Sequence, residues 1–191
     1  MITVNLSQSV YSALAQLNNL QKNAPRAINS ALNRSVTYLR QAVVRQVTQE
    51  YSIKQPVVRK AIQLTKSTVS SLSAQAVVSG SPIPLVKFDI TPRRPLKTSN
   101  KRQLMAKVTK NGAQKPIKKG FVQKTKAGYL GAFYRATDKR YPLKQFYGPS
   151  IPQMAQNSLV VDQVQQQAEN YFFQRLEHEV RRLNAEIGSK R

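Results

Sequence analysis

The chain has 191 residues, enough for one domain of ordinary size with a single buried core. Lys and Arg total 31 against 8 acids, a net charge of +23 that draws the chain towards polyanions and acidic surfaces and makes it repel itself. With no cysteine and 40% hydrophobic residues, a disulfide framework, a thiolate zinc site and a cysteine nucleophile are excluded, so burial and partners must hold the fold.

In chain order, Leu6, Val10, Leu14 and Leu17 carry the spacing of an amphipathic helix over residues 6 to 22. Asn23-Ala24-Pro25 interrupts it, and Pro25 suits the first turn of a second helix, where its missing N–H is not needed. That helix is longer: Ala27, Ile28, Ala31, Leu32, Val36, Leu39, Val43 and Val47 keep a helical period for about six turns. Its other face carries Arg26, Arg34, Arg40 and Arg45, so one side packs and the other is basic. A short third helix is expected from near Pro56, with Val57, Val58, Ala61 and Ile62 on its apolar side.

From Leu72 the period changes to two. Leu72, Ala74, Ala76 and Val78 mark one face of a strand that Gly80-Ser81-Pro82 ends, and Val86, Phe88 and Ile90 predict a second. Thr91-Pro92-Arg93-Arg94-Pro95 breaks that strand, because proline cannot donate within a paired ladder. Arg93 to Gln103 holds almost nothing apolar except Leu96 and is expected to be a basic, mobile loop. Leu104, Ala106 and Val108 resume the alternation. Asn111-Gly112 is a turn signal, and a strand through Phe121 and Val122 is expected to return as the second arm of a hairpin. Tyr129, Leu130, Ala132, Phe133 and Tyr134 predict a last strand, followed by a turn at Thr137-Asp138-Lys139.

After Tyr147-Gly148-Pro149-Ser150-Ile151-Pro152 a long helix is expected over roughly 156–187, with Leu159, Val164, Ala168, Phe172, Leu176, Val180, Leu183 and Ile187 on one side and Gly188 as its stop. It exceeds the ordinary helix length, leaving part of it free to pack on another subunit. The order of elements predicts an α+β fold with N-terminal helices, a central antiparallel sheet with a basic loop, and a long C-terminal helix. One domain over 1–191 is expected: a helical part at 1–66, a β part at 67–147 with the basic loop at 91–103, and the C-terminal helix at 153–188. No run of eighteen apolar residues occurs, and the first five residues lack the charged-then-apolar pattern of a signal peptide, so synthesis in the cytoplasm is expected.

The charge is uneven. Between Lys87 and Lys144 stand 17 basic residues against Asp89 and Asp138, a net +15, whereas from Gln145 to Arg191 five of each sign cancel. Arg93, Arg94, Lys97, Lys101, Arg102, Lys107 and Lys110 are therefore the candidate patch for phosphates or an acidic protein surface, set against solvated charges that keep a β region soluble. Tyr129, Phe133, Tyr134, Tyr141, Phe146 and Tyr147 interleave with Arg135, Lys139, Arg140 and Lys144. Sheet core or interface anchors are preferred for these aromatics over a base-stacking surface.

Catalytic chemistry finds little support. The single histidine, His178, lies between Glu177 and Glu179 on a charged helix. Asp162, Glu169, Glu177, Glu179 and Glu186 there are read as salt-bridge partners of Arg175, Arg181 and Arg182. No phosphate-loop, dinucleotide, nucleophile-elbow or zinc-protease motif occurs. No enzyme, metal or cofactor is expected.

Gly131-Ala132-Phe133, then Tyr141-Pro142-Leu143, then Tyr147-Gly148-Pro149-Ser150-Ile151-Pro152 resembles a series found in the phage minor tail protein Z family, the tail-completion proteins of lambda-like long-tailed phages. Ala27-Ile28-Asn29-Ser30-Ala31-Leu32-Asn33-Arg34 is similar to that family's "ALNR" helix, and Pro84-Leu85-Val86-Lys87-Phe88 to one of its strands. Gly131, Ala132, Phe133, Pro142, Gly148, Pro149, Ser150 and Pro152 are thus candidate motif and interface positions. The resemblance covers nearly the whole chain and implies a structural virion protein of the neck, added late at the head-proximal end of a non-contractile tail. It implies a homo-hexameric ring beside the tail terminator, tail tube and head connector proteins, with genome DNA in the channel and no membrane. The rival reading is a stand-alone basic nucleic-acid-binding protein.

Overall fold

A computed structural model describes residues 2–5, 24–96, 102–156 and 158–188, with side chains for 24–96, 102–156, 163–182 and 185. The helix expected over 6–22 lies outside the described residues. A first strand, β1 (Ile2–Asn5), precedes α1 (Ala24–Glu50), and Pro25 stands in the first turn of α1 as its chemistry demands. All eight apolar positions anticipated for α1 are buried, joined by Ala24, Ala42 and Val44. The helix also holds the Thr- and Ser-rich stretch from Thr65 to Ser71. Asn33 Nδ2 donates to Ser67 O at 3.0 Å, and Asn33 Oδ1 accepts from Ser67 N at 2.9 Å, a two-bond clamp on the helix flank.

The short helix α2 (Gln55–Lys60) opens on Pro56, but Ala61 caps it and Ile62 begins a strand, β2 (Ile62–Thr65). Ala61 and Ile62 therefore leave the helix to which their spacing assigned them. β3 (Gln75–Val78) buries Ala76 and Val78 on the anticipated face, and Ala74 just ahead of it. The three strands form an antiparallel sheet in the order β1-β3-β2, with Ile2 and Ile62 both opposite Val78.

The strand expected through Val86, Phe88 and Ile90 is divided. β4 (Ile83–Pro84) gives way to a single 3-10 turn at Leu85–Lys87 before β5 (Asp89–Thr91). Phe88 and Ile90 are buried as anticipated. The backbone departs because Pro82 and Pro84 have no N–H to pair, and Leu85 donates instead to Phe146 O at 3.0 Å. Beyond the basic connection come β6 (Leu104–Lys107) and β7 (Lys115–Ile117), forming the sheet β5-β6-β7. The return arm after Asn111-Gly112 is thus β7 rather than the strand through Phe121 and Val122. β7 is short, Lys115 and Pro116 are exposed, and with no buried alternation it leaves little trace in the pattern.

Phe121 and Val122 belong to β8 (Phe121–Lys124), which pairs forward with β9 (Leu130–Arg135) through a turn in which Gly128 takes φ +82°. β9 is not the last strand. β10 (Leu143–Gln145) adds to its other edge after the Thr137-Asp138-Lys139 turn, and β11 (Tyr147–Gly148) pairs with β4. The α+β class and the antiparallel pairing stand, but among the described residues the strands form four small sheets in place of one central sheet.

The C-terminal region also starts differently. Ser150 caps a one-turn helix, α3 (Ile151–Ala155): its Oγ accepts from Gln153 N, and Gln153 Oε1 accepts from Ser150 N at 2.9 Å. The long helix α4 (Ser158–Gly188) follows, and Gly188, its anticipated stop, is the last described residue. At about 1.5 Å per residue its 31 residues reach roughly 46 Å. Val164, Ala168, Phe172 and Leu176 are buried at four-residue intervals, and this stripe lies along α1 in the most extensive helix contact among the described residues. The side chains of Leu159, Leu183 and Ile187 lie outside the described residues. Tyr38 of α1 stacks on Tyr171 of α4 with ring centroids 4.3 Å apart and planes 7° from parallel.

Candidate assembly surface

The described ends of the basic connection between β5 and β6 flank the ends of two paired antiparallel strands. Arg93 and Arg94 follow β5, Arg102 precedes β6, Lys107 ends β6 and Lys110 lies just beyond. Four of these are exposed and Lys107 is half-buried; Lys97 and Lys101 lie outside the described residues. Arg93 is already engaged, its guanidinium 2.8 Å from Asp89. Arg93 and Lys110 are brought to one cleft, which Arg94, Arg102 and Lys107 do not line.

That cleft, about 810 Å³, forms where four stretches of chain converge: 52–57 after α1, 86–93 of the 3-10 turn and β5, Lys110 just beyond β6, and 128–130 at the β8–β9 turn. The first stretch is fixed to the end of β6 by backbone bonds, Ser52 N to Val108 O and Lys110 N to Glu50 O, each 2.8 Å. Ile53, Phe88 and Ile90 form a buried floor, and Val57, Val86 and Leu130 are half-buried shoulders. Lys54, Lys87, Arg93 and Lys110 stand exposed around them. Lys54 and Lys87 were not among the candidate residues. Lys54 comes from the helical part of the chain, and only the fold places it beside the β region.

The family-like motif is mostly interior. Gly131, Ala132, Phe133, Ser150 and Pro152 are buried, Gly148 and Pro149 half-buried, and Pro142 exposed. Its glycines have a packing reason. A methyl on Gly131 would stand 2.7 Å from Cε2 and Cζ of Phe133, and one on Gly148 only 2.6 Å from Cε2 of Phe88. Phe88 is 4% exposed and cannot withdraw freely. Gly148→Ala is therefore expected to lower stability by about 1–2 kcal/mol, read as a reduced urea midpoint at unchanged slope. An unshifted midpoint would show that the Phe88 ring has room to move.

The aromatics divide by position. Tyr134 and Phe146 pack with centroids 4.7 Å apart, while Tyr129, Tyr141 and Tyr147 are exposed. The Tyr129 hydroxyl accepts from Gln145 Nε2, and the Tyr147 hydroxyl donates to Gln145 Oε1 at 3.3 Å, fixing both rings beside β10.

On α4, Arg181 pairs with Glu177, as its spacing predicts, and His178 is exposed. Glu179 pairs with Arg175 and Arg182, as its spacing predicts, but it does so as a buried group, 2% exposed. Arg34 of α1 (3.5 Å) and Arg175 (3.3 Å) reach its Oε1, and Arg182 (3.2 Å) reaches its Oε2. Among the described residues no group of three or more His, Cys, Asp or Glu side chains stands together as metal ligands would, and no helix is long and apolar enough to cross a membrane.

Comparison with curated proteins and with solved structures matched nothing. A family model described as prophage minor tail protein Z (GPZ) matches residues 8–184, a span holding the cleft, the motif glycines and the α1–α4 contact. With nearly its whole length matched, the chain belongs to the prophage minor tail protein Z family and is a structural protein of the phage tail.

Proposed function

We propose that this tail protein is a completion component of the neck, added at the head-proximal end of a non-contractile tail and needed for head–tail joining and DNA passage. It acts by assembly and not by catalysis. In this reading copies of the chain form a ring, a homo-hexamer, beside the tail terminator, tail tube and head connector proteins, with the genome end in the channel. The observation that carries the reading is the joining of a tail-protein family match to a surface whose positive charge is uncompensated. Arg94, Arg102 and Lys110 stand exposed around the β5–β6 hairpin with no carboxylate in ion-pair range among the described residues. Such charges favour docking on an acidic ring or lying near packaged DNA.

Neutralising Arg93, Arg94, Lys97, Lys101 and Arg102 together is expected to lower infectious titre by about tenfold or more, with unjoined heads and tails accumulating in micrographs. Full titre in that variant would remove the basic connection from the mechanism. The net charge of +23 also favours a second reading, a stand-alone nucleic-acid-binding protein. Tight, steeply salt-dependent binding of isolated protein to duplex DNA, with the protein missing from mature virions, would establish that instead.

A further inference from the structure

We propose that the cleft between α2, β5 and the β8–β9 turn is a docking site for an acidic peptide segment bearing apolar side chains, supplied by another protein of the virion. The inference rests on the tail-completion reading and names the class of partner that one face of the protein receives.

Its chemistry is two-part. Val57, Val86 and Leu130 are half-buried around a buried apolar floor, leaving apolar surface still in contact with water at the centre of the cleft. A segment with leucine- or phenylalanine-like side chains would remove that surface from solvent. Around it, Lys54, Lys87 and Lys110 are exposed, and among the described residues no carboxylate lies in ion-pair range of them. Asp89 is the single acid in the lining, and Arg93 engages it at 2.8 Å. Three lysines without counter-charges around an apolar centre complement a segment that alternates acidic and apolar residues.

Nucleic acid fits less well. A phosphate backbone would use the lysines but leave the apolar floor unfilled, and it would approach Asp89. The chain's own first predicted helix does not fit either, since residues 6 to 22 contain no acid.

The test uses the full chain and a fluorescein-labelled probe peptide of alternating Glu, Leu and Phe, followed by anisotropy. Saturable binding is expected. It should weaken about tenfold or more when the probe's Glu residues become Gln, and likewise when its Leu and Phe become Ser. Charge reversal in the triple variant K54E/K87E/K110E should weaken it about 30-fold, and K54Q/K87Q/K110Q by a smaller factor, with circular dichroism unchanged because all three side chains are exposed. Val86→Asp should also weaken it, from the apolar side.

The proposal is overturned if the triple variants bind the probe as the native chain does, or if the Ser-substituted probe binds equally well. Displacement of the probe by a short DNA duplex that binds more tightly through the same lysines would also overturn it, in favour of nucleic acid. Because binding is measured on isolated protein, its failure leaves the neck assignment standing. Normal head–tail joining in particles lacking the protein would remove that assignment whether or not the peptide binds.

Discussion

Replacing Phe172 with alanine is expected to destabilise the protein by about 4 kcal/mol, on the order of a thousandfold in the ratio of folded to unfolded chains. Phe172 is 0% exposed and lies mid-way along the stripe of α4 that runs against α1, with its ring 5.4 Å from that of Phe173. Truncation removes the transfer energy of the ring and leaves a cavity between two long helices. Both carry further buried side chains on either side, so neither can settle inward at one point without disturbing the others. Ordinary domains are stable by only about 5–15 kcal/mol, so a large fraction of the total would be lost. Urea denaturation of Phe172→Ala beside Phe173→Ala provides the measurement. Phe173 is 37% exposed, and its truncation should fall below about 1 kcal/mol. Equal effects at the two positions would mean that α4 does not dock on α1 in the free protein and reaches that packing only within the virion.

The two helices that carry this contact were legible because their apolar residues recur at helical spacing, and burial follows that spacing position by position in α1 and from Val164 to Leu176 in α4. The face of β3 was legible for the same reason at period two. β7 and β10 were not: Lys115-Pro116-Ile117 and Leu143-Lys144-Gln145 are three residues each and bury no side chain fully, so alternation had nothing to act on. Turn chemistry marked Asn111-Gly112 without saying which later segment returns. The family-like motif was visible as a string of residues, whereas part of its physical content, the ring lying over Gly148, comes from Phe88, at the bend between the 3-10 turn and β5 and far away in the chain. The candidate surface was half legible. Charge density picked out Arg93 and Lys110, but the cleft that joins them to Lys54 and Lys87 comes from the fold, which hydrogen-bonds the chain after α1 to the chain after β6.

Glu179 shows how local spacing can mislead about burial, and it carries the second large effect. An acid with Arg175 four residues before and Arg182 three residues after has the pattern of an exposed helix pair, worth a few tenths of a kcal/mol. Here the carboxylate is buried, and Arg34 arrives from α1, so the cluster ties the two helices together. Glu179→Ala should therefore cost about 2–3 kcal/mol. That is less than for a wholly buried pair, because the Arg34 and Arg182 side chains are 57% exposed and water can still solvate them. Arg175, at 21% exposed, has no such recourse: its Nε already lacks a hydrogen-bond partner, and removing the carboxylate leaves its guanidinium facing two others. Arg34→Ala should cost no more than about 1 kcal/mol. In the double variant Glu179→Ala/Arg175→Ala the loss should be smaller than the sum of the single losses by about 1–2 kcal/mol, since the second change removes the charge that the first left unpaired. Urea midpoints of Glu179→Ala, Arg175→Ala, their double variant and Arg34→Ala decide it. Strict additivity, or a Glu179→Ala loss under about 0.5 kcal/mol, would show that the carboxylate is solvated in the folded protein and that α1 and α4 are held by their apolar stripe alone.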